Sequence, residues 1–548
     1  MEVGRWKVKT VIEGKVYDPL NGKVFNGRIT VEKGKIKRVE PGGTGREIIT
    51  PPFIDSHVHI ESSLLTPAQF AAALAPFGVI SAVADPHEIA NVLGTEGVKF
   101  MVENGKSVPV KLFFAAPSCV PASPLSKAGA VLGVKEVEEL LKLKEVKSLG
   151  EVMNFPGVIN REEEVMAKIE AAKRVKKPID GHAPGLKGEE ARKYFEAGIS
   201  TDHESTTLEE AEEKIKLGVY IQIREGSAAR NFRKLFPLIE KYPEKVMLCT
   251  DDRSPDDLTS GTINRLVETA IEEGISPLKA LRAASVNPII HYKLPVGLLR
   301  PGDPADFLIL ESLKPLTVKS VYCNGRKIAH NGTPLFVPPA ISQTLNNFQA
   351  EKITEEEIRI TALREFVKTI IATDGELITD KACLKARKIK NNLCSDTDND
   401  VLKLVVVNRY GEKRIGVGFI KGFNLKRGAL AMSIAHDHHN IIALGASDRE
   451  IVQAVNRVIE VGGGISLHAG NRNITIPLPI AGLMSNSNVK SLAAKVTEIK
   501  TELQNLGCRL KNPLITLSFM ALEVIPKLKL TDKGLFDSER FELTPLYC

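Results

Sequence analysis

His57 and His59, within Ile54-Asp55-Ser56-His57-Val58-His59-Ile60-Glu61, are the residues whose type and spacing most directly suggest chemistry. They close an apolar, β-prone stretch that begins at Ile48. On a strand, residues i and i+2 point to one face, so both imidazoles address the same point in space. Imidazole is the commonest metal-binding side chain, and two converging from one strand make half of a metal site. A lone His-x-His is more often exposed or hydrogen-bonded in a core, so the rest of the chain must supply the other half. Glu151, His182, His203 and Asp251 are the candidates, each closing its own apolar run. Four neutral imidazoles and two carboxylates suit two divalent ions, with Glu151 bridging. Without a cation, burying so many titratable groups together is expensive.

These residues meet only if the runs that carry them are neighbouring strands. Between about 51 and 295 the chain alternates apolar runs, each ending in polar residues, with helical segments. The runs end at His57-Val58-His59, Asp85-Pro86-His87-Glu88, Ser118-Cys119-Val120-Pro121, Gly150-Glu151-Val152-Met153-Asn154, Asp180-Gly181-His182, Thr201-Asp202-His203-Glu204-Ser205, Arg224-Glu225-Gly226-Ser227 and Thr250-Asp251-Asp252-Arg253. Eight strand-then-helix units predict an α/β fold of the (β/α)8 TIM-barrel type, whose sites lie at the C-terminal ends of its strands. A doubly wound sheet is the competing architecture, but its Gly-rich phosphate fingerprint is missing after the first strand. Residues 1–50 and 296–340 read as short antiparallel strands and hairpins, which predicts one small β-sandwich domain built from both flanks of the barrel. The charged stretch 341–400 reads as a linker with a helix. Residues 401–548 read as a separate C-terminal α/β domain, with strands at 402–408 and 415–420 and a helix near 448–461.

Composition narrows the function classes. A chain of 548 residues is expected to hold roughly two to four domains. Hydrophobic residues at 43% and charged residues at 26% are values of a soluble globular chain. A net charge of +7 is slight over this length, and no dense Lys/Arg block marks a nucleic-acid surface. The seven cysteines are scattered without a Cys-x-x-Cys, which argues against a disulfide framework or a zinc ribbon. The N-terminus has no signal-peptide pattern, and the longest apolar run, 70–84, is too short and too broken to span a bilayer. A cytoplasmic protein with neither membrane nor nucleic-acid partners is expected.

Longer segments are more specific than the histidine pair. They are Pro51-Pro52-Phe53-Ile54-Asp55-Ser56-His57-Val58-His59-Ile60-Glu61-Ser62-Ser63, Asp85-Pro86-His87-Glu88-Ile89-Ala90-Asn91, Asp180-Gly181-His182-Ala183-Pro184-Gly185, Arg224-Glu225-Gly226-Ser227-Ala228-Ala229-Arg230-Asn231, Cys249-Thr250-Asp251-Asp252-Arg253 and Ala435-His436-Asp437-His438-His439-Asn440. With them the chain resembles the bacterial-type adenine deaminases of the amidohydrolase superfamily over essentially its full length. The resemblance implies hydrolytic deamination of adenine to hypoxanthine and ammonia in purine salvage, with a free purine base as substrate. It implies two divalent metals, usually manganese or iron, and the donor set admits zinc as well. Many relatives bridge their metals with a carboxylated lysine on the fourth strand, and the resemblance gives that task to Glu151 here. Homo-oligomers are common among such barrels.

Roles follow from this reading. Metals can lower the pKa of water from about 15.7 to about 7, on the order of 12 kcal/mol toward hydroxide, against ~3 kcal/mol from one positioned acid or base. Asp251, ligand and base at once, would take a proton from the water attacking carbon 6 and pass it toward the departing ammonia. His87 and Glu88 are the candidates for protonating the adjacent ring nitrogen, although Asp85-Pro86-His87-Glu88 also has the form of a capped helix start. Arg224, Glu225, Ser227 and Arg230 follow the seventh strand and are candidates for the base pocket. Asp55, Asp252 and Arg253 read as supporting residues, and His436-Asp437-His438-His439 as a structural or lid element. The competing functions are another cyclic amidine or amide hydrolase on this barrel (guanine deaminase, cytosine deaminase, a dihydroorotase-like enzyme) and an inactive scaffold, which the full set of ligand candidates disfavours.

Overall fold

The apolar run that ends at the histidine pair forms the strand Phe53–His59, every residue of which is buried. Such burial is expected of a strand between parallel neighbours with helices outside. In the computed structural model, which describes residues 9–341 and 344–548, it is the first strand of a parallel barrel. Eight residues of the expected N-terminal β region and two of the expected linker lie outside the described residues. The barrel strands that follow are Val79–Ala84, Lys111–Ala116, Val146–Val152, Ile179–Gly181, Thr201–Asp202, Tyr220–Arg224 and Val246–Cys249, the last continuing past Thr250 as Asp251–Asp252.

Closure depends on that broken eighth strand. Val246–Cys249 pairs with the seventh strand, whereas Asp251 and Asp252 pair with Val58 and His59 of the first. Between the fifth and sixth strands, Ser200 N donates to Ile179 O at 2.9 Å. The expected (β/α)8 barrel is thus formed. Its helices cover the outside with one apolar stripe each; Ile263–Glu272 buries Ile263, Leu266, Val267, Ala270 and Ile271, the spacing of a single helical face.

The flanking strands make one eight-stranded sheet in which Ile48–Thr50 pairs parallel to Thr10–Asp18 and antiparallel to Phe307–Leu313. The far strand, Lys35–Pro41, returns to the chain entering Phe307–Leu313, with Ile36 N donating to Asp303 O at 2.9 Å. The sheet therefore folds over a core of its own that includes Val16, Ile29, Ile36, Ile49 and Phe307.

The C-terminal domain is built on a second eight-stranded sheet, with the helix Asp448–Glu460 packed on it through Ile451, Ala454, Val455 and Val458. One expectation fails here. The glutamate-rich stretch at 351–357 forms a single turn, not a helix, and Phe366–Ile371 and Asp380–Lys385 are strands of the C-terminal sheet, the latter at its edge. Three adjacent glutamates have no apolar face to bury, and Thr354 N closes the turn on Glu357 Oε2 at 2.8 Å while Ile353 and Ile358 anchor it in the core. Cys383 and Cys548 are joined in a disulfide, a pairing that their spacing did not reveal, and the other five cysteines are free. Among the described residues, no helix is long and apolar enough to cross a membrane.

Two contacts fix the elements nearest the candidate site. The C-terminal domain sits over the strand ends, where Ser485 N donates to Leu64 O at 2.8 Å and Lys500 Nζ to Asp256 Oδ2 at 2.5 Å. Beneath it, fully buried Lys214 donates to Asp202 Oδ2 (2.9 Å), Glu210 Oε1 (2.9 Å) and Ala183 O (2.7 Å). Asp202 Oδ1 accepts from Ala183 N at 3.0 Å, so one buried ion pair ties the residue after His182 to the residue before His203. Lys214→Met is expected to destabilise the chain by about 3–5 kcal/mol, because two buried carboxylates lose their counter-charge. A lowered urea midpoint would measure that loss, and an unchanged midpoint would refute it.

Candidate metal centre

All six predicted ligand residues meet at the C-terminal mouth of the barrel. Glu151 lies at the middle: its Oε2 is 2.7 Å from His182 Nδ1 and 3.1 Å from His203 Nε2. Its Oε1 is 3.4 Å from His59 Nε2 and 3.5 Å from His87 Nδ1. The two oxygens thus face different histidine sets. Asp251 Oδ1 lies 3.2 Å from His59 Nε2 and 3.7 Å from His57 Nε2, and the His57 ring stacks on His203 with centroids 4.2 Å apart. Five of the six residues are buried, and His182 is the most open.

Local structure explains how each side chain is aimed. His57 and His59 share the inner face of their strand, as their spacing requires. His59 Nδ1 donates to Asp85 O at 3.0 Å, which turns its Nε2 inward. Asp251 has φ 54°, a left-handed conformation that is strained for a non-glycine residue and kinks the eighth strand at the site. Asp55 accepts Thr250 N at 3.0 Å and the Thr250 hydroxyl, which ties that kink to the first strand.

The site is strongly charged. Burial opposes a negative Glu151, yet His182 and His203 hold its carboxyl well below the usual range. Burial likewise opposes a charged Asp251, but Arg224 and His59 keep it ionised. Burial would depress His203, and its bonds to Glu151 and Glu204 instead raise it to about 10. His59 is raised in the same way, against burial, mainly by Asp251. His57 is the exception: burial and the neighbouring His203 and His59 depress it. Its buried Nε2 has no hydrogen-bond partner, nor does Nδ1 of His203. An orphaned inward nitrogen, four converging imidazoles and two carboxylates are a donor set that fits divalent cations.

The remaining predicted residues divide. His87 lies at the edge of the cluster, facing Glu151, and Glu88 is buried beside it. The capped-helix form of this segment is not what holds it: Ile89 N is capped by Glu61 Oε1 at 3.1 Å, and Asp85 Oδ2 accepts Glu151 N at 2.8 Å. Ser227 lines a cavity between the barrel mouth and the C-terminal domain, together with Ser62, Ser254, Met432, Ile434 and His436. Arg224 does not offer itself to a base. Its Nη1 is 2.5 Å from both Glu204 Oε1 and Asp251 Oδ2, and its Nη2 is 2.8 Å from Glu204 Oε2. The guanidinium therefore orients Asp251. Arg230 is also displaced from its expected place: it is half-exposed, donates through Nε to Gly226 O at 2.9 Å, and lies near Asp257 and Glu225. Ala229, at φ 51°, turns the chain just before it. Glu225 lies 3.8 Å from Arg230 and makes no ion pair with the histidines.

Sequence reasoning missed two contributions. Glu204, adjacent to His203, lies 3.4 Å from His203 Nε2 and 3.5 Å from His182 Nδ1; its only signal was a carboxylate next to a candidate ligand. From the C-terminal domain, His436 Nδ1 and His439 Nε2 donate to Glu88 Oε1 and Oε2. Asp437 Oδ1 lies 3.8 Å from His87 Nε2. The histidine run was visible, but its barrel partner lies 348 residues away in the chain.

A closed parallel barrel with a histidine pair on its first strand and carboxylates at the ends of its fourth and eighth is the architecture of an amidohydrolase, and the amidohydrolase family model matches residues 48–328. The adenine deaminase C-terminal domain model matches residues 376–542. Adenine deaminase of Methanosarcina mazei is 46% identical over 548 residues, covering 97% of this chain and 99% of that one. Its counterpart in Parabacteroides distasonis is 45% identical over 538 residues, covering 98% of each chain. That of Borreliella burgdorferi is 41% identical over 540 residues, covering 97% of this chain and 98% of its own. The chain belongs to the adenine deaminase family of amidohydrolases.

Protonated imidazoles must release their protons to bind a cation. His203, at about 10, and His59, also raised, carry protons at neutral pH in the metal-free chain. Metal uptake at pH 7 should therefore release on the order of one proton per ion, and affinity should fall as pH is lowered from 8 to 6. Calorimetry in buffers of different ionisation enthalpy measures this, and uptake without proton release would contradict the assigned charges.

Proposed function

We propose that this chain hydrolyses adenine to hypoxanthine and ammonia, using two divalent cations held by His57, His59, Glu151, His182, His203 and Asp251. The observation that carries the reading is Glu151, whose two oxygens face separate histidine sets in a chain akin over its whole length to adenine deaminases. Manganese or iron suits the mixed imidazole and carboxylate donors, and zinc is an alternative. When bound, such ions act as Lewis acids and lower the pKa of water toward neutrality. The reaction belongs to cytoplasmic purine salvage, acting on the free base.

The chain's own residues supply position and proton traffic. Asp251 is kept ionised by Arg224, so it is ready to accept a proton from the attacking water and return it to the leaving amine. Arg224 is itself held by Glu204, which prevents the guanidinium from turning toward the substrate space. His87 and Glu88 carry the proton exchange at the purine ring nitrogen; at the second strand's exit His87 stands beside Glu151, and Glu88 beside His87. The base enters the cavity beneath the C-terminal domain, where Ser62 and Ser227 provide hydroxyls and Met432 and Ile434 an apolar wall.

Ammonia release from adenine, guanine, cytosine and adenosine, with protein reconstituted in manganese, iron or zinc, tests the reading. Adenine alone should react. Ammonia from guanine or cytosine instead would transfer the chain to a sister activity. Asp251→Asn should lower kcat by at least about 10³-fold, since it removes both a proton acceptor and a ligand charge. Near-normal turnover in that variant would disprove the assigned role.

A further inference from the structure

The run His436-Asp437-His438-His439 has no task in the scheme above, yet three of its four side chains face the barrel mouth. His436 Nδ1 donates to one oxygen of Glu88 and His439 Nε2 to the other, so the carboxylate cannot rotate. The His436 ring is fixed from behind, and the His439 backbone is held locally. The His436 ring stacks on Phe519 with centroids 4.5 Å apart and an interplanar angle of 13°, and the backbone N–H of His436 donates to Ser518 O at 3.0 Å. His439 N donates to Ala435 O at 2.7 Å, in a left-handed backbone conformation of φ 54°. Asp437 approaches His87, the neighbour of Glu88. His438 points the other way, with Nε2 donating to Ser123 O at 3.1 Å, and anchors the loop to the segment after the third strand.

Helix capping does not account for Glu88, because Glu61 already caps that helix. Net stability is a poor explanation too, since a buried ion pair of this kind contributes little over an apolar replacement. His436 also lines the cavity at the barrel mouth, so the arrangement borders the space where a substrate would sit. We propose that His436 and His439 of the C-terminal domain are positioning residues that hold the Glu88 carboxylate in place for proton exchange with the purine ring. This rests on the adenine deaminase reading and adds to it a second domain that completes the catalytic centre.

A double-mutant cycle on the full-length, metal-loaded protein tests it. His436→Ala should lower kcat about a hundredfold with KM within about threefold of the unmodified chain, the loss expected when one positioned acid or base is misplaced. Metal content should match the unmodified protein, and kcat is read well below the variant's thermal midpoint, which falls because buried Glu88 loses one of its two imidazole partners. His436→Asn and His439→Gln place an amide N–H where each ring nitrogen stood, and each should recover at least about tenfold over the corresponding alanine variant. Glu88→Gln combined with His436→Ala should be no slower than Glu88→Gln alone, within about twofold, because the two residues act as one unit. Should His436→Ala not fold, the same cycle run with His439→Ala decides.

Additive losses, or alanine variants with undiminished kcat beside an impaired Glu88→Gln, overturn the positioning role and leave the proposed function standing. A Glu88→Gln variant with normal kcat overturns it as well, by removing the residue to be positioned. An unmodified, metal-loaded chain that leaves adenine untouched removes the functional reading and this inference together.

Discussion

Four imidazoles and three carboxylates are held out of water, within a few ångströms of one another, and the surrounding barrel is organised around that constraint. Each buried charge needs an opposite charge or a set of hydrogen bonds at close range. Glu151 meets the need with four imidazoles in reach. Arg224 meets it for both Asp251 and Glu204. One layer further out, Lys214 neutralises Asp202 and Glu210, and Thr250 satisfies Asp55. Removing any one of these partners leaves a neighbour uncompensated, so the cluster behaves as a unit.

Positioning so many groups demands backbone geometry that ordinary strands do not offer. Val246–Cys249 pairs with one neighbour, and Asp251–Asp252 with another, only because the strand kinks at Thr250–Asp251. Left-handed backbone at a non-glycine residue costs about 1 kcal/mol or more, and the hydrogen bonds of Asp55 to Thr250 help to offset it. The same kink closes the barrel and turns the Asp251 carboxylate toward His57 and His59. Closure and chemistry therefore share one local distortion.

Much of this was legible in the sequence, and its limits are physical. Periodicity and the polar ends of eight apolar runs announced a parallel barrel, because strand alternation and crossover helices leave a regular trace. The histidine pair announced a common target because i and i+2 share a face. Arg224 has the type and place of a base-pocket residue, and only the three-dimensional fold spends its guanidinium on Glu204 and Asp251. The glutamates near 355 have helical propensity, but propensity without an apolar face gave way to strand pairing of the segments beyond them. Cys383 and Cys548 are 165 residues apart, and no local pattern encodes such a pairing.

The bond between Glu88 and the C-terminal domain spans 348 residues. Synthesis proceeds from the N-terminus, so every barrel strand has left the ribosome well before His436 is made. Until then Glu88 has no counter-charge from that domain, and its carboxylate at the open end of the nascent barrel depends on His87, 3.6 Å away. Maturation of the centre is thereby a late event in the life of the chain, reached only when nearly the whole polypeptide is available.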